Sequence, residues 1–127
     1  MNELLDGILL VFNFQTLLVI LLAALFGVFV GAIPGLSATM AVALLVPITF
    51  AMDPTAAIAA IITTAAMAIF AGDIPGTYLN IPGTPASAAY VADSAALGRA
   101  GRAREALGLN LTCSVIGGLT GTLVLVM

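Results

Sequence analysis

An all-α, polytopic membrane protein is what this sequence predicts, and three observations carry the prediction. Hydrophobic residues fill 62% of the 127 positions and charged residues 7%, where a soluble domain carries about a quarter charged residues. Several apolar runs approach or reach the roughly 20 residues that a helix needs to cross a bilayer. Between them lie short segments dense in proline and glycine. Backbone groups freed by such breaks at membrane depth are tolerated only inside protein or along a wet cavity. The expected architecture is therefore a helical bundle with broken or re-entrant helices at Pro-Gly loops. An apolar run is still in progress at Met127, so the chain reads as a piece of a larger protein.

Histidine, lysine and tryptophan are absent, and the basic residues are Arg99, Arg102 and Arg104. Histidine acid/base chemistry, His-ligated metal and lysine-dependent phosphate loops are thereby excluded within these residues. A net charge of −3 without a basic stripe argues against nucleic acid as a partner. Cys113 stands alone in an apolar run and reads as a small hydrophobe packed between helices.

Residues 1–16 carry Glu3 and Asp6 but no basic residue, which does not fit a secretory signal. They read as a lead-in helix lying at the interface, with a short inserted helix as the alternative. Residues 17–33 are seventeen apolar or glycine positions in a row, the first spanning helix. Gly27, Gly31 and Gly35 recur every fourth residue and would share a face open to close helix packing. Pro34-Gly35 ends that run. Residues 36–52 follow, with Ser37 and Thr39 at the start and Pro47 inside, and read as a broken or re-entrant helix. Its N-terminus would combine free N–H groups with hydroxyls, an arrangement that attracts anions.

Asp53-Pro54 reads as an N-cap followed by proline at the first helical position, opening a third helix over 54–71. Alanine at 56, 57, 59, 60, 65, 66, 68 and 71 predicts a helix buried in the bundle. Residues 72–87, G-D-I-P-G-T-Y-L-N-I-P-G-T-P-A-S, then hold three prolines and three glycines. The helix is expected to break here, with Gly83 at positive φ. A short helix over 87–97 follows, with Asp93 about two turns into it. Residues 98–105 hold every arginine and read as a cytoplasmic loop by the positive-inside rule. Residues 106–127 form a last span, with Gly117, Gly118 and Gly121 as another small-residue face.

Ile-Pro-Gly occurs at 33–35, 74–76 and 81–83. The first and third lead into hydroxyl residues, as two helix starts aimed at a shared cavity would. Residues 72–87 offer the hydroxyls of Thr77, Thr84 and Ser87, the Asn80 amide, the Tyr78 phenol and the Asp73 carboxylate. Backbone N–H groups there can surround a carboxylate without fixed positive charge. Loose carbonyls with Asp73 can instead hold a small cation such as Na+. Asp73 and Asp93 are candidates for ion coupling if they lie at depth, and interfacial caps if they do not.

The ordered set of motifs resembles the large membrane subunit of tripartite tricarboxylate transporters, the TctA family. It comprises G-x-x-x-G-A-I-P-G-L-S (27–37), L-L-V-P-I-T-F (44–50), G-D-I-P-G-T-Y-L-N-I-P-G-T-P-A-S-A-A (72–89), a following aspartate, and G-R-A-G-R-A-x-x-A-L-G (98–108). The resemblance spans nearly the whole chain and corresponds to the first part of a longer family sequence. One departure is Asp93-Ser94-Ala95-Ala96, where many members have Asp-Gly followed by Tyr-Pro.

The resemblance implies a bacterial inner-membrane permease that imports citrate or other di- and tricarboxylates. It implies ion-gradient coupling, by Na+ or H+, and work alongside a small membrane subunit and a periplasmic binding protein. Carried onto this chain, Pro34, Gly35, Leu36 and Ser37 would sit at one helix start. Asn80, Pro82, Gly83, Thr84, Pro85 and Ser87 would sit at the other, facing the substrate. An intramembrane hydrolase is disfavoured, since nothing here activates a serine and no protease motif surrounds the aspartates. A purely structural or assembly subunit explains the glycine faces but not the long polar break.

Overall fold

The computed structural model describes residues 11–127, so most of the expected lead-in helix, residues 1–10, lies outside the described residues. The first described helix, α1 (Phe14–Gly31), begins three residues before the expected span and absorbs the end of that lead-in. Asn13 is the reason: its extended backbone leaves the helix, and its Oδ1 accepts from the Gln15 N–H at 3.4 Å.

Helix α2 (Ala38–Thr49) starts where Ser37 caps it, the Ser37 Oγ accepting from the Met40 N–H at 3.3 Å. It runs for 12 residues, shorter than the expected 36–52. Pro47 does not divide it, since it falls in the last turn and only hastens the end. Helix α3 (Pro54–Ala71) opens as expected, with Asp53 Oδ2 accepting from the Thr55 N–H at 3.2 Å and Pro54 in the first turn.

The break expected within residues 72–87 is present, but it falls at Asn80 and not at residue 71, where the third helix was expected to end. Helix α4 (Asp73–Leu79) continues from α3 through Gly72, whose backbone stays right-handed at φ −63°. Together they make an apolar helical stretch of 26 residues. Pro75 is tolerated because it lies in the first turn after the junction, where its missing N–H removes a single bond to the Ala71 carbonyl. The true break is Asn80, left-handed at φ 59°, whose N–H closes α4 onto Gly76 O at 3.1 Å.

A 3₁₀ turn, Ser87–Ala89, then leads to α5 (Val91–Arg99), so the helix expected over 87–97 is two elements and Asp93 lies in the first turn of the second. The loop expected over 98–105 shrinks to 100–102. The N–H of Arg102 bonds Leu97 O at 2.9 Å and that of Gly101 bonds Gly98 O at 3.1 Å, with Gly101 at φ 77°. This is a Schellman stop. Helix α6 (Ala103–Val126) follows at once, its first turn tied by the exposed Arg102–Glu105 ion pair.

The core sits between α1, α2 and α3, in clusters of Ala23, Leu45 and Ala60, and of Val30, Ala41 and Ala68. Helices α1 and α3 run parallel. Thr64 Oγ1 donates to Ala23 O at 3.3 Å, a Cβ on Gly27 would lie 2.7 Å from Thr64 O, and one on Gly31 would strike Ala68 O. Gly27 and Gly31 thus form the close-packing face that their spacing predicts. Gly35 does not belong to it: it is a turn residue at φ 92° with open space beside it. Helix α3 is buried along Ala56, Ala60, Thr64, Ala68 and Ala71 only, while Ile58 and Ile62 are exposed. From residue 111 onward α6 is exposed, and Gly117, Gly118 and Gly121 meet nothing among the described residues.

Candidate functional site

The segment after Asn80 turns back along the helix it has just left. A Cβ on Gly83 would lie 2.5 Å from the Gly72 backbone, and Thr84, Pro85 and Ala86 share a cleft with Ile69. From the level of Leu79 to that of Ile69 is about 15 Å at 1.5 Å per helical residue. Residues 80–86 are therefore re-entrant. Gly83 is glycine because two backbones touch there and not, as expected, because of positive φ, which among the described glycines occurs at Gly35 and Gly101.

Thr84 and Ser87 hold the tip of this loop. The Thr84 N–H donates to Ser87 Oγ at 3.0 Å, the Ser87 N–H to Thr84 Oγ1 at 3.1 Å, and Ser87 Oγ–H to Thr84 O at 2.9 Å. Reciprocal capping of this kind satisfies donors at the start of the 3₁₀ turn. Ser87, only 2% exposed, is thus a brace beneath the loop.

Against the tip lies the start of α2. Ser37, Ala38, Thr39, Ile69, Thr84, Pro85 and Ala86 line one open cleft of about 350 Å³. Two of the Pro-Gly segments predicted to converge do meet here, through the residues that follow each Ile-Pro-Gly. Of the candidate residues, Ser37, Thr84 and Pro85 line the cleft. Leu36 packs against Val30, Ala41 and Ala68 instead. Pro34, Gly35, Asn80 and Pro82 are exposed around the turns, outside the cleft lining. Ala86 and Ile69 line it without having been singled out, since neither carries a polar group that sequence could flag. The cleft holds no fixed charge: its polar groups are three hydroxyls and the first-turn N–H groups of α2, where the helix dipole is positive.

The two candidate aspartates are not brought together. Asp93 is exposed on α5. Asp73 is 4% exposed, and Tyr90 Oη–H donates to its Oδ1 at 2.9 Å. The Asn110 side chain lies near the same carboxylate and donates from Nδ2 to Ser94 Oγ at 3.5 Å. Tyr90, Asn110 and Ser94 were missed as a group because they lie 17, 37 and 21 positions from Asp73 on other elements, so no local spacing links them. Cys113 is not packed between helices: it is exposed, and shares a second cleft, of about 430 Å³, with Tyr90, Asn110 and Ser114.

Three described helical stretches, Phe14–Gly31, Pro54–Leu79 and Ala103–Val126, are long and apolar enough to cross a membrane. Comparison with known proteins agrees with that architecture. The chain is 33% identical over 101 residues to an uncharacterised 52.8 kDa protein from the TAR-I ttuC' 3' region of Agrobacterium vitis. The match covers 80% of this chain and 20% of that relative, so this chain spans about a fifth of the relative's length. No solved structure matches it. The model of the tripartite tricarboxylate transporter TctA family matches residues 17–127, and the chain belongs to that family of membrane transporters.

Proposed function

We propose that this chain is the N-terminal section of a secondary permease that imports a di- or tricarboxylate such as citrate, driven by an ion gradient. In this reading it works in the bacterial inner membrane with a small membrane subunit and a periplasmic solute-binding protein. The observation that carries the reading is the uncharged cleft where the start of α2 meets the re-entrant tip of residues 84–86. A carboxylate seated there would accept from the Ala38 and Thr39 N–H groups and from the hydroxyls of Ser37, Thr39 and Thr84. Donors at a helix N-terminus hold an anion without the desolvation cost of a buried arginine. Such binding stays weak enough to release, which a transporter needs. Gly83 and Ser87 act at one remove, fixing the loop tip against α3 and α4.

The test is uptake of labelled citrate and dicarboxylates in cells expressing the full-length protein with its neighbours, with and without a sodium gradient. Thr84→Val and Thr39→Val each remove a hydrogen bond to a charged group, about 1.5–3 kcal/mol. Each is expected to raise KM roughly tenfold or more, by the 1.4 kcal/mol per decade of binding. The inserted amount stays unchanged for Thr39→Val and falls for Thr84→Val, which also strands the Ser87 N–H. Unchanged KM in both would move the substrate away from this cleft.

A further inference from the structure

The Asp73 carboxylate raises a question of charge that the carboxylate cleft does not answer. It is buried within the 26-residue apolar stretch, and its surroundings are neutral: the Tyr90 hydroxyl donates to it and the Asn110 amide lies nearby. The chain has no lysine or histidine, and Arg99, Arg102 and Arg104 are exposed around the α5–α6 turn, Arg102 being paired with Glu105. A lone carboxylate buried in an apolar setting is costly unless one positive charge joins it.

Beside it lies the cleft of about 430 Å³ lined by Tyr90, Asn110, Cys113 and Ser114, with Ser94 Oγ held by Asn110. One formal negative charge amid neutral oxygens suits a monovalent cation, whereas a divalent ion favours more carboxylates. The elements that meet here are α4, the start of α5 and α6, which pack on one another, so an occupant would sit at their common junction.

We propose that Asp73, Tyr90 and Asn110 form a binding site for one monovalent cation, Na+ or H+. Asp73 supplies the charge, Tyr90 and Asn110 supply oxygens once their present hydrogen bonds rearrange, and Ser94 holds the Asn110 amide in place. The inference rests on the transport reading only for its purpose, since cation binding is measurable without uptake. Tyr90 is the titratable group in contact with Asp73, and Cys113 is the other titratable side chain on the cleft; Asp93 is exposed on α5.

The experiment is equilibrium binding of ²²Na+ to the purified full-length protein, paired with proton release or uptake on titrating the unbuffered protein. If sodium is the ion, the wild type binds it with an affinity that falls as pH drops, Asp73→Asn weakens binding at least tenfold, and Tyr90→Phe weakens it severalfold. If the proton is the ion, sodium does not bind, and Asp73→Asn removes a proton that the wild type exchanges near neutral pH, where an aspartate in water is already ionised. Tyr90→Phe keeps the ring in place and so separates a ligand from a packing role should Asp73→Asn fail to fold. Alkylation of Cys113, followed on its own peptide, gives an independent readout: occupancy should slow it severalfold in the wild type and not in Asp73→Asn. Wild-type behaviour of Asp73→Asn in both titrations overturns the site. Cation binding without uptake of any carboxylate would instead overturn the transport reading and leave the site standing.

Discussion

Gly35 and Gly83 follow the same Ile-Pro dipeptide, yet they are glycines for different reasons, and substitution separates them. Gly35 has open space around it but φ 92°, so alanine there meets no atom and strains the backbone by about 1–2 kcal/mol. Gly83 has no such φ, but a Cβ would sit 2.5 Å from the Gly72 Cα and O. Overpacking of that kind costs about 1–3 kcal/mol and displaces the loop tip. Asparagine tolerates left-handed backbone. Gly35→Asn is therefore expected to be milder than Gly35→Ala in thermal unfolding in detergent, while Gly83→Asn should be worse than Gly83→Ala. The opposite order at position 83 would mean that contact with Gly72 is not what selects glycine. Ser87→Ala should cost a further 1–3 kcal/mol or so, because it strands the Thr84 N–H.

Between elements, the strongest determinant is the parallel seam of α1 and α3. Gly27 and Gly31 were legible as a packing face because a four-residue repeat needs nothing beyond helical geometry to be read. Asp53 was legible as a helix cap for a similar reason, since caps act within three residues. What could not be read depended on distant backbone. Pro75 signals a break, but whether it ends a helix or opens its next turn depends on what receives the Ala71 carbonyl. The pairing of Tyr90 with Asp73 spans 17 positions and a re-entrant loop, and no periodicity encodes that. Gly31→Leu is expected to abolish the α1–α3 seam, since its Cβ would strike the Ala68 backbone, and to be read as loss of monodisperse protein in size-exclusion chromatography. Thr64→Val should cost no more than about 1 kcal/mol, because the bond to Ala23 O is long and buried polar contacts between membrane helices average well under that.

At the scale of the whole molecule, the path of the chain commits it to a topology. Because α1 and α3 are parallel and α2 returns between them, Asn13 and Asp53 lie at one end, where with Thr16 and Thr55 they line a common polar cleft. The 26-residue stretch α3–α4 then crosses to the other end. Helix α5 climbs beside α4, its Gly98 packed against the Thr77 carbonyl, so the turn at 100–102 stays at that far end with the three arginines. Positive residues near a span are retained in the cytoplasm. The arginine turn is thus expected on the cytoplasmic side and the residues around Asp53 on the periplasmic side. Single cysteines placed at Ala51 and at Ala100 in the full-length protein, with Cys113 replaced by serine, read this out through a membrane-impermeant maleimide. Ala51→Cys should label in intact cells and Ala100→Cys only after permeabilisation. Labelling of both from outside would contradict a crossing by the α3–α4 stretch, and reversed labelling would keep the fold while inverting it in the membrane. In the expected pattern the hydroxyl cleft, at the arginine end of α1, lies towards the interior, the side on which the proposed import would release its carboxylate.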